Sequence, residues 1–398
     1  MKINNISASE FAIVRPHFNS SFLTEIQIEK LEKLCYGADS GKKALEDAYE
    51  APKKCEIAVG NTNRSGSRKI DDYDEFEVRI EGNNVYLNGG SPYATAAAVA
   101  SFAEMLKEKE VCDSDSFKGS YKEYEKKLDR KAEYTPRWID DFDGDSVDTT
   151  KWYLIDEEYT GRGADGLSGK NGKRAFRSAS PDVTYIKDGC FNVNYSQDEH
   201  NYYGGTLRTY EKMQFKYGYM ETSAKLPKGS GFWSTLWLSV YKRKVNILPE
   251  IDVNESFGSA EKVSANLHIW PNAELQAEGH KHHSFDDLKP GIRSFTCPDG
   301  KEFNEDFHTF GVLWTEHSIS FTGDGRIYCT FDLTADPDFT EAFTTAPMYP
   351  ILSGTPGFCN CPWPQTATEE QWKNSNKYIV DYVHLYQLDD GVSELITE

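Results

Sequence analysis

The sequence predicts a small α/β domain followed by a large all-β sandwich, and three observations carry that expectation. All eight tryptophans stand at or after Trp138, a composition shift that separates two domains. Short strands alternate with helical patterns before residue 113, whereas short strand-like runs divided by turns recur after residue 135. The 398 residues also exceed one ordinary core and suit two. The expected boundaries are 1–112 for the α/β domain, 113–134 for a linker rich in Lys, Asp, Glu and Ser, and 135–390 for the sandwich.

In the first part, Phe11-Ala12-Ile13-Val14 reads as a strand, and Leu23, Ile26, Ile28, Leu31 and Leu34 give an approximate helical spacing. Glu56 to Gly60 is a buried-type strand. Phe76–Ile80 and Val85–Leu87 flank Gly82-Asn83-Asn84 as a hairpin, and Ser91–Lys107 reads as an amphipathic helix. No catalytic constellation stands among these residues. In the second part the strand-like runs are 217–226, 231–240, 250–255, 263–270, 307–314, 318–322, 327–331, 349–352 and 378–387. Lys228-Gly229, Gly258-Ser259 and Gly323-Asp324-Gly325 divide them as turns.

Forty-four Lys and Arg against 64 Asp and Glu leave a net charge of −20, which argues against nucleic acid and anionic membrane as partners. A neutral substrate fits that charge, and nothing points to an oligomer, so a monomer is expected. The segment Ala94–Leu106 is too short and too alanine-rich to span a bilayer, and it carries Glu104. Met1-Lys2-Ile3-Asn4-Asn5 begins no apolar stretch, so no signal peptide is expected. The eight cysteines are scattered. Cys359-Asn360-Cys361 reads as two thiols in a loop rather than half of a zinc site.

The chemistry concentrates in Glu250-Ile251-Asp252-Val253-Asn254-Glu255. Alternation puts Glu250 and Asp252 on one strand face, while Glu255 has the wrong parity for it. A β-bulge between Asp252 and Glu255 adds one residue and restores the parity, so that all three acids line one face. Like charges at this spacing repel, and acids are poor strand formers. The pattern is useful when one carboxylate attacks and another holds a proton, which is what glycoside hydrolysis demands. A retaining enzyme sets its two carboxyl groups roughly 5–5.5 Å apart. An exposed edge strand with a solvated acidic face is an alternative that Ile251 and Val253 allow, and a calcium site is a third.

With its neighbours, this segment resembles glycoside hydrolase family sixteen over about residues 135–390. Glu250 to Glu255 looks like the family's E-[IL]-D-x-x-E centre in its bulged form. Tyr217-Gly218-Tyr219-Met220-Glu221 through Pro227 resembles Y-G-x-x-E-x-x-x-K-x-P, and Gly231 to Leu238 resembles G-x-W-P-A-x-W-L. Phe307 to Thr315 resembles F-H-x-Y-x-x-x-W-T, and Val380 to Tyr386 resembles V-D-Y-V-R-V-Y. The resemblance implies a β-jelly roll with an open cleft, Glu250 as nucleophile, Glu255 as general acid/base and Asp252 as helper. It implies a retaining endo-β-glycosidase acting on a polysaccharide or oligosaccharide, with β-1,3-glucan as the leading substrate. The alternatives are an endo-β-galactanase acting on agar, carrageenan or a host galactoside, a transglycosylase, and an inactive carbohydrate-binding protein. Two stretches depart from the pattern. Tyr219 and Ser223 replace the arginines of Y-G-R-x-E-x-R, and Asn266-Leu267-His268-Ile269-Trp270 stands where laminarinases carry H-G-P-G.

Sugar rings stack on aromatic faces, so Trp233, Trp237, His268, Trp270 and Trp363 are candidates for the cleft, with Arg208 as a hydroxyl-binding candidate. Trp237 could equally fill the sandwich core, and Arg208 could equally serve the surface. Trp314 and His308 read as core. His280, His282 and His283 read as a solvated loop. No cofactor is required. The resemblance implies a possible structural Ca²⁺ at Asp381, near the D-E-F-x-G-like stretch Asp140–Gly144. The family is usually secreted, and the localisation stays open. Ile57–Arg64 and Asn88–Ser91 resemble the small α/β accessory domain that precedes the barrel in some hexosaminidases and glucuronidases.

Overall fold

The structure, a computed structural model, describes residues 1–109, 111–113, 116–159, 173–241, 245–279, 281–284, 293–356 and 367–397. The chain divides into two units, Met1–Thr135 with Asp324–Arg326, and Pro136–Gly323 with Ile327–Glu398.

The first unit is a six-stranded mixed sheet. Its strands run in the order Leu45–Glu46, Ala12–Arg15, Glu56–Val59, Asn84–Gly89, Glu75–Glu81 and Phe117–Ser120. Two helices, Phe22–Tyr36 and Pro92–Glu108, bury Ile28, Leu31, Ala97 and Phe102 in the same core as Ile13, Ile57 and Val85. Ser21 and Ser91 start them, each accepting a backbone N–H of the first turn. The hairpin turns at Gly82, whose φ of +59° suits glycine. Arg64 is fixed by a buried pair of hydrogen bonds to Glu56, at 2.8 and 3.1 Å.

The reading of 113–134 as a linker is corrected here. Phe117–Ser120 is the outer strand of this sheet and Tyr121–Glu125 a short helix. Tyr121 packs edge-on against Tyr93, 4.9 Å between centroids. The exposed Lys118, Lys122 and Glu123 give the segment its charged look and mask the apolar spacing of Phe117, Tyr121 and Tyr124.

The second unit is built on two large sheets closed on one core, with Met213–Lys216 and Glu394–Thr397 forming a separate two-stranded ribbon. One sheet runs through Thr184–Lys187, Cys190–Asn194, Lys377–Gln387, Gly218–Lys225, His308–Trp314, Ser318–Gly323 and Arg326–Asp332. The other runs, in its central part, through Asn201–Arg208, Tyr349–Pro356, Phe232–Ser239, Ile247–Phe257 and Lys262–Pro271. Met220, Val312 and Leu385 of the first sheet meet Leu236, Ile251, Val253, Leu267 and Leu352 of the second in a single apolar cluster. Each strand gives alternate residues to that cluster, which leaves the opposite face of the second sheet for polar groups. Trp314 and His308 are buried, as the sequence predicts, with the Trp314 indole N–H donating to the Phe343 carbonyl at 3.1 Å. Helices interrupt the strand pattern at Ala273–Ala277, at Pro337–Thr345, capped by Asp336, and at Glu369–Asn374, which opens on a Thr368/Gln371 capping box.

Candidate active site

The strand Ile247–Phe257 is the centre of the second sheet's outer face. Its register against Lys262–Pro271 pairs Glu250 with His268 and Asp252 with Asn266, then jumps to Glu255 with Ser264. Val253 and Asn254 thus stand opposite Ala265 alone, two residues against one, which is a β-bulge. The opposite neighbour shows the same step: Trp237 pairs with Asp252, Leu236 with Asn254 and Thr235 with Glu255. Val253 and Asn254 therefore both turn inward, and Glu250, Asp252 and Glu255 share the outer face. Ile251 and Val253 sit in the core, at 0% and 1% exposure.

Asn254 closes the bulge. Its side chain is fully buried and its Oδ1 accepts the Leu236 N–H at 3.1 Å, occupying a donor the broken ladder leaves over. Nothing in the acidic motif singled this residue out. The available signal was an amide at an inward position of a strand.

The face extends over four neighbouring strands. Trp233 and Trp237 lie on it, paired with Phe257 and Asp252. Trp233 stacks on Phe257, 5.8 Å between centroids at 30°. Trp237 belongs to this face and is half-buried, so it is not a core residue. Arg208 pairs with Ile351, which pairs with Trp237, so Arg208 lies on the same face two strands from it. Arg208 also covers the Tyr210 ring at 5.4 Å. His268 and Trp270 share the face on the next strand. Trp363, His280, Cys359 and Cys361 fall outside the described residues.

His282 is exposed in a loop, as the sequence predicts, and still reaches the site. Its ring stacks on Trp270, 3.7 Å between centroids at 22°, and its Nε2 lies 2.8 Å from His268 Nδ1. The Asn266 amide is oriented by its Oδ1, which accepts the Leu267 N–H at 3.1 Å, so its NH₂ faces His268 Nε2 at 2.9 Å. His268 Nε2 is therefore an acceptor and Nδ1 carries the proton donated to His282. On its other side Nε2 lies 3.3 Å from Asp252 Oδ2.

Burial raises the Asp252 carboxyl to about 7, with the Arg293 charge acting in the opposite sense. Burial is also the largest effect on Glu255, which stands well above the ordinary carboxylate range. The Asp252 charge adds to that shift and, less strongly, so does Glu250, while His268 and Arg293 oppose it. Arg293 thus acts electrostatically on the site from the strand edge beside Ala265, whose N–H donates to its carbonyl at 2.8 Å. No local motif marked Arg293.

Asp381 stands on the other sheet, away from this group, with the Cys190 thiol 3.9 Å from its Oδ1. Asp140 accepts the Trp152 indole N–H at 2.6 Å, and Asp141 lies 2.7 Å from His384 Nε2. Among the described residues, no helix is long and apolar enough to cross a membrane.

Residues 133–388 match the family model described as beta-porphyranase A–D, GH16 domain. A glucan endo-1,3-beta-glucosidase A1 of Niallia circulans is 28% identical over 239 residues, covering 54% of this chain and 33% of that protein. Beta-porphyranase E of Zobellia galactanivorans is 25% identical over 275 residues, covering 63% of this chain and 88% of that protein. The catalytic domain of an endo-1,3-beta-glucanase (laminarinase) from Thermotoga petrophila aligns with TM-score 0.49 and 22% identity, over 65% of this chain and 99% of that domain. The chain spans about a third of the length of the first two curated relatives it matches, at 33% and 34%.

Proposed function

The chain belongs to glycoside hydrolase family 16, and we propose that it is a retaining endo-β-glycosidase of a polysaccharide, with a β-1,3-glucan as the leading substrate. The family's β-jelly-roll fold is the sandwich described above. The observation that carries the reading is the bulge, seen in the register on both sides of the strand, which gathers Glu250, Asp252 and Glu255 on one outer face.

In this reading Glu255, held protonated by burial and by the neighbouring acids, gives its proton to the glycosidic oxygen as that bond breaks. Glu250 attacks the anomeric carbon and forms the covalent glycosyl-enzyme. Glu255, now ionised, takes a proton from water, whose oxygen displaces Glu250 and leaves a product of unchanged configuration. Asp252 beside them, its carboxyl raised by burial, limits the negative charge around the nucleophile. Trp233, Trp237 and Trp270 offer ring faces to the sugar, and Arg208 offers hydrogen-bond donors.

The glucan preference draws support from relatives named as glucan endo-1,3-beta-glucosidases. A β-galactan is the second reading, favoured by the porphyranase family model and by a porphyranase matched over 88% of its own length. Product analysis of the full chain on a β-1,3-glucan, a β-1,3-1,4-glucan, agar and carrageenan tests both. Oligosaccharides of mixed length from the β-1,3-glucan alone support the first reading, and release from a β-galactan alone supports the second. No release from any of them contradicts both.

The first unit is proposed as a hexosaminidase-type accessory domain without catalytic residues. A structural calcium at Asp381 belongs to the proposal too. Calcium takes roughly six to eight oxygens, so carbonyl groups must complete a set that Asp381 only begins. A thermal melt that is unchanged by EDTA counts against that metal.

A further inference from the structure

We propose that Glu250, Asp252 and His268 also form a site for a borderline divalent cation, with Zn²⁺ as the type, whose binding shuts the cleft. The inference rests on the active-site reading above and extends it to regulation.

One oxygen of each carboxylate and one imidazole nitrogen lie within 4.8 Å of one another, which makes this a three-ligand group of mixed oxygen and nitrogen donors. The spacing matches the coordination polyhedron. Two bonds of roughly 2.1 Å at the tetrahedral angle span about 3.4 Å, and His268 Nε2 lies 3.3 Å from Asp252 Oδ2.

The orientation of the imidazole is the second, independent observation. A metal-binding histidine needs a lone pair on one nitrogen and a partner for the N–H on the other. The Asn266 amide, held by the Leu267 N–H, leaves the lone pair on His268 Nε2, the nitrogen that faces Asp252. His282 takes the proton on Nδ1 at 2.8 Å, and stacking on Trp270 holds His282 in place. An incoming cation replaces the Asn266 contact and keeps the His282 contact. Two carboxylates and one imidazole select zinc, copper or nickel over calcium or magnesium, which prefer all-oxygen surroundings. A fourth position stays open to water. With the cation bound, the oxygens of Glu250 are no longer available to a sugar, so substrate and cation exclude each other.

Calorimetric titration of ZnSO₄ into the full chain at neutral pH, with no sugar present, tests the site. The expected result is one saturable equivalent for the wild type. His268→Gln and Asp252→Asn should each lose at least about tenfold in affinity, and His282→Ala about tenfold, the usual size of an outer-shell effect. Glu255→Gln should bind as the wild type does. The absence of saturable binding, or His268→Gln and Asp252→Asn binding as tightly as the wild type, overturns the proposal. If His268→Gln fails to fold in a thermal melt, Asp252→Asn and His282→Ala carry the comparison. Because the readout needs no turnover, a chain that binds Zn²⁺ yet cleaves no polysaccharide breaks the hydrolase reading alone. A chain that cleaves but binds no Zn²⁺ breaks this one alone.

Discussion

Glu250→Gln removes the attacking oxygen while keeping size and hydrogen bonding, so turnover should fall by at least about a thousandfold with the melting temperature held or raised. Oligosaccharide hydrolysis and a thermal melt on the same sample check both halves. Glu255 and Asp252 add a pH signature. Both carboxyls stand above their usual range in the fold, so the native state binds more protons than the unfolded chain between the ordinary carboxylate pKa and the raised one. Stability therefore falls as pH rises through that window, which for Asp252 closes at about 7. Asp252→Asn and Glu255→Gln should each raise the melting temperature at about pH 8 and change it far less at about pH 4. Equal shifts at both pH values would contradict the assigned burial. The rate should also fall as pH rises through the Glu255 ionisation, because the acid form is the one that protonates the leaving group. Asp252→Asn should slow turnover less than Glu250→Gln does.

At the scale of the element, the strand and its bulge do the positioning, and Asn254 holds the bulge. Asn254→Ala leaves the Leu236 N–H buried without its acceptor, which costs about 1–3 kcal/mol. In a domain of this size each kcal/mol lowers the melting temperature by about 2–4 °C. The variant should also lose activity, since Glu255 depends on the same kink. Asn254→Asp, which keeps an acceptor, should recover part of the activity. A variant with unchanged melting and unchanged rate would show that the bulge does not need this side chain. The bulge itself was legible, because only an extra residue reconciles the parity of Glu250 and Asp252 with that of Glu255. So were the strands bearing Trp233, Trp237, His268 and Trp270, since alternation fixes faces without any knowledge of neighbours. Arg293 and His282 were not legible. They reach the site from other segments, and no local spacing encodes that pairing. The early strands Cys190–Asn194 and Asn201–Arg208 were missed as well, their apolar residues being interrupted by Asn, Gly and Thr.

For the molecule as a whole, two units with separate apolar cores imply that each can fold alone. The boundary was misjudged because a charged surface hid the apolar contacts of Phe117 and Tyr121. Residues 133–398 expressed alone should be folded and keep kcat/KM on a soluble oligosaccharide within about threefold of the full chain. A folded but inert product would give the first unit a part in the reaction. The central claim concerns stereochemistry, because three acids gathered by a bulge matter most if one of them bonds to the sugar. Proton NMR of the full chain cleaving a β-linked oligosaccharide reads this directly, provided the first spectra precede mutarotation. The account predicts that newly released reducing ends appear first as the β-anomer, with the α-anomer growing in later. Initial release of the α-anomer would mean that water, not Glu250, attacks the anomeric carbon, and would contradict the assigned roles.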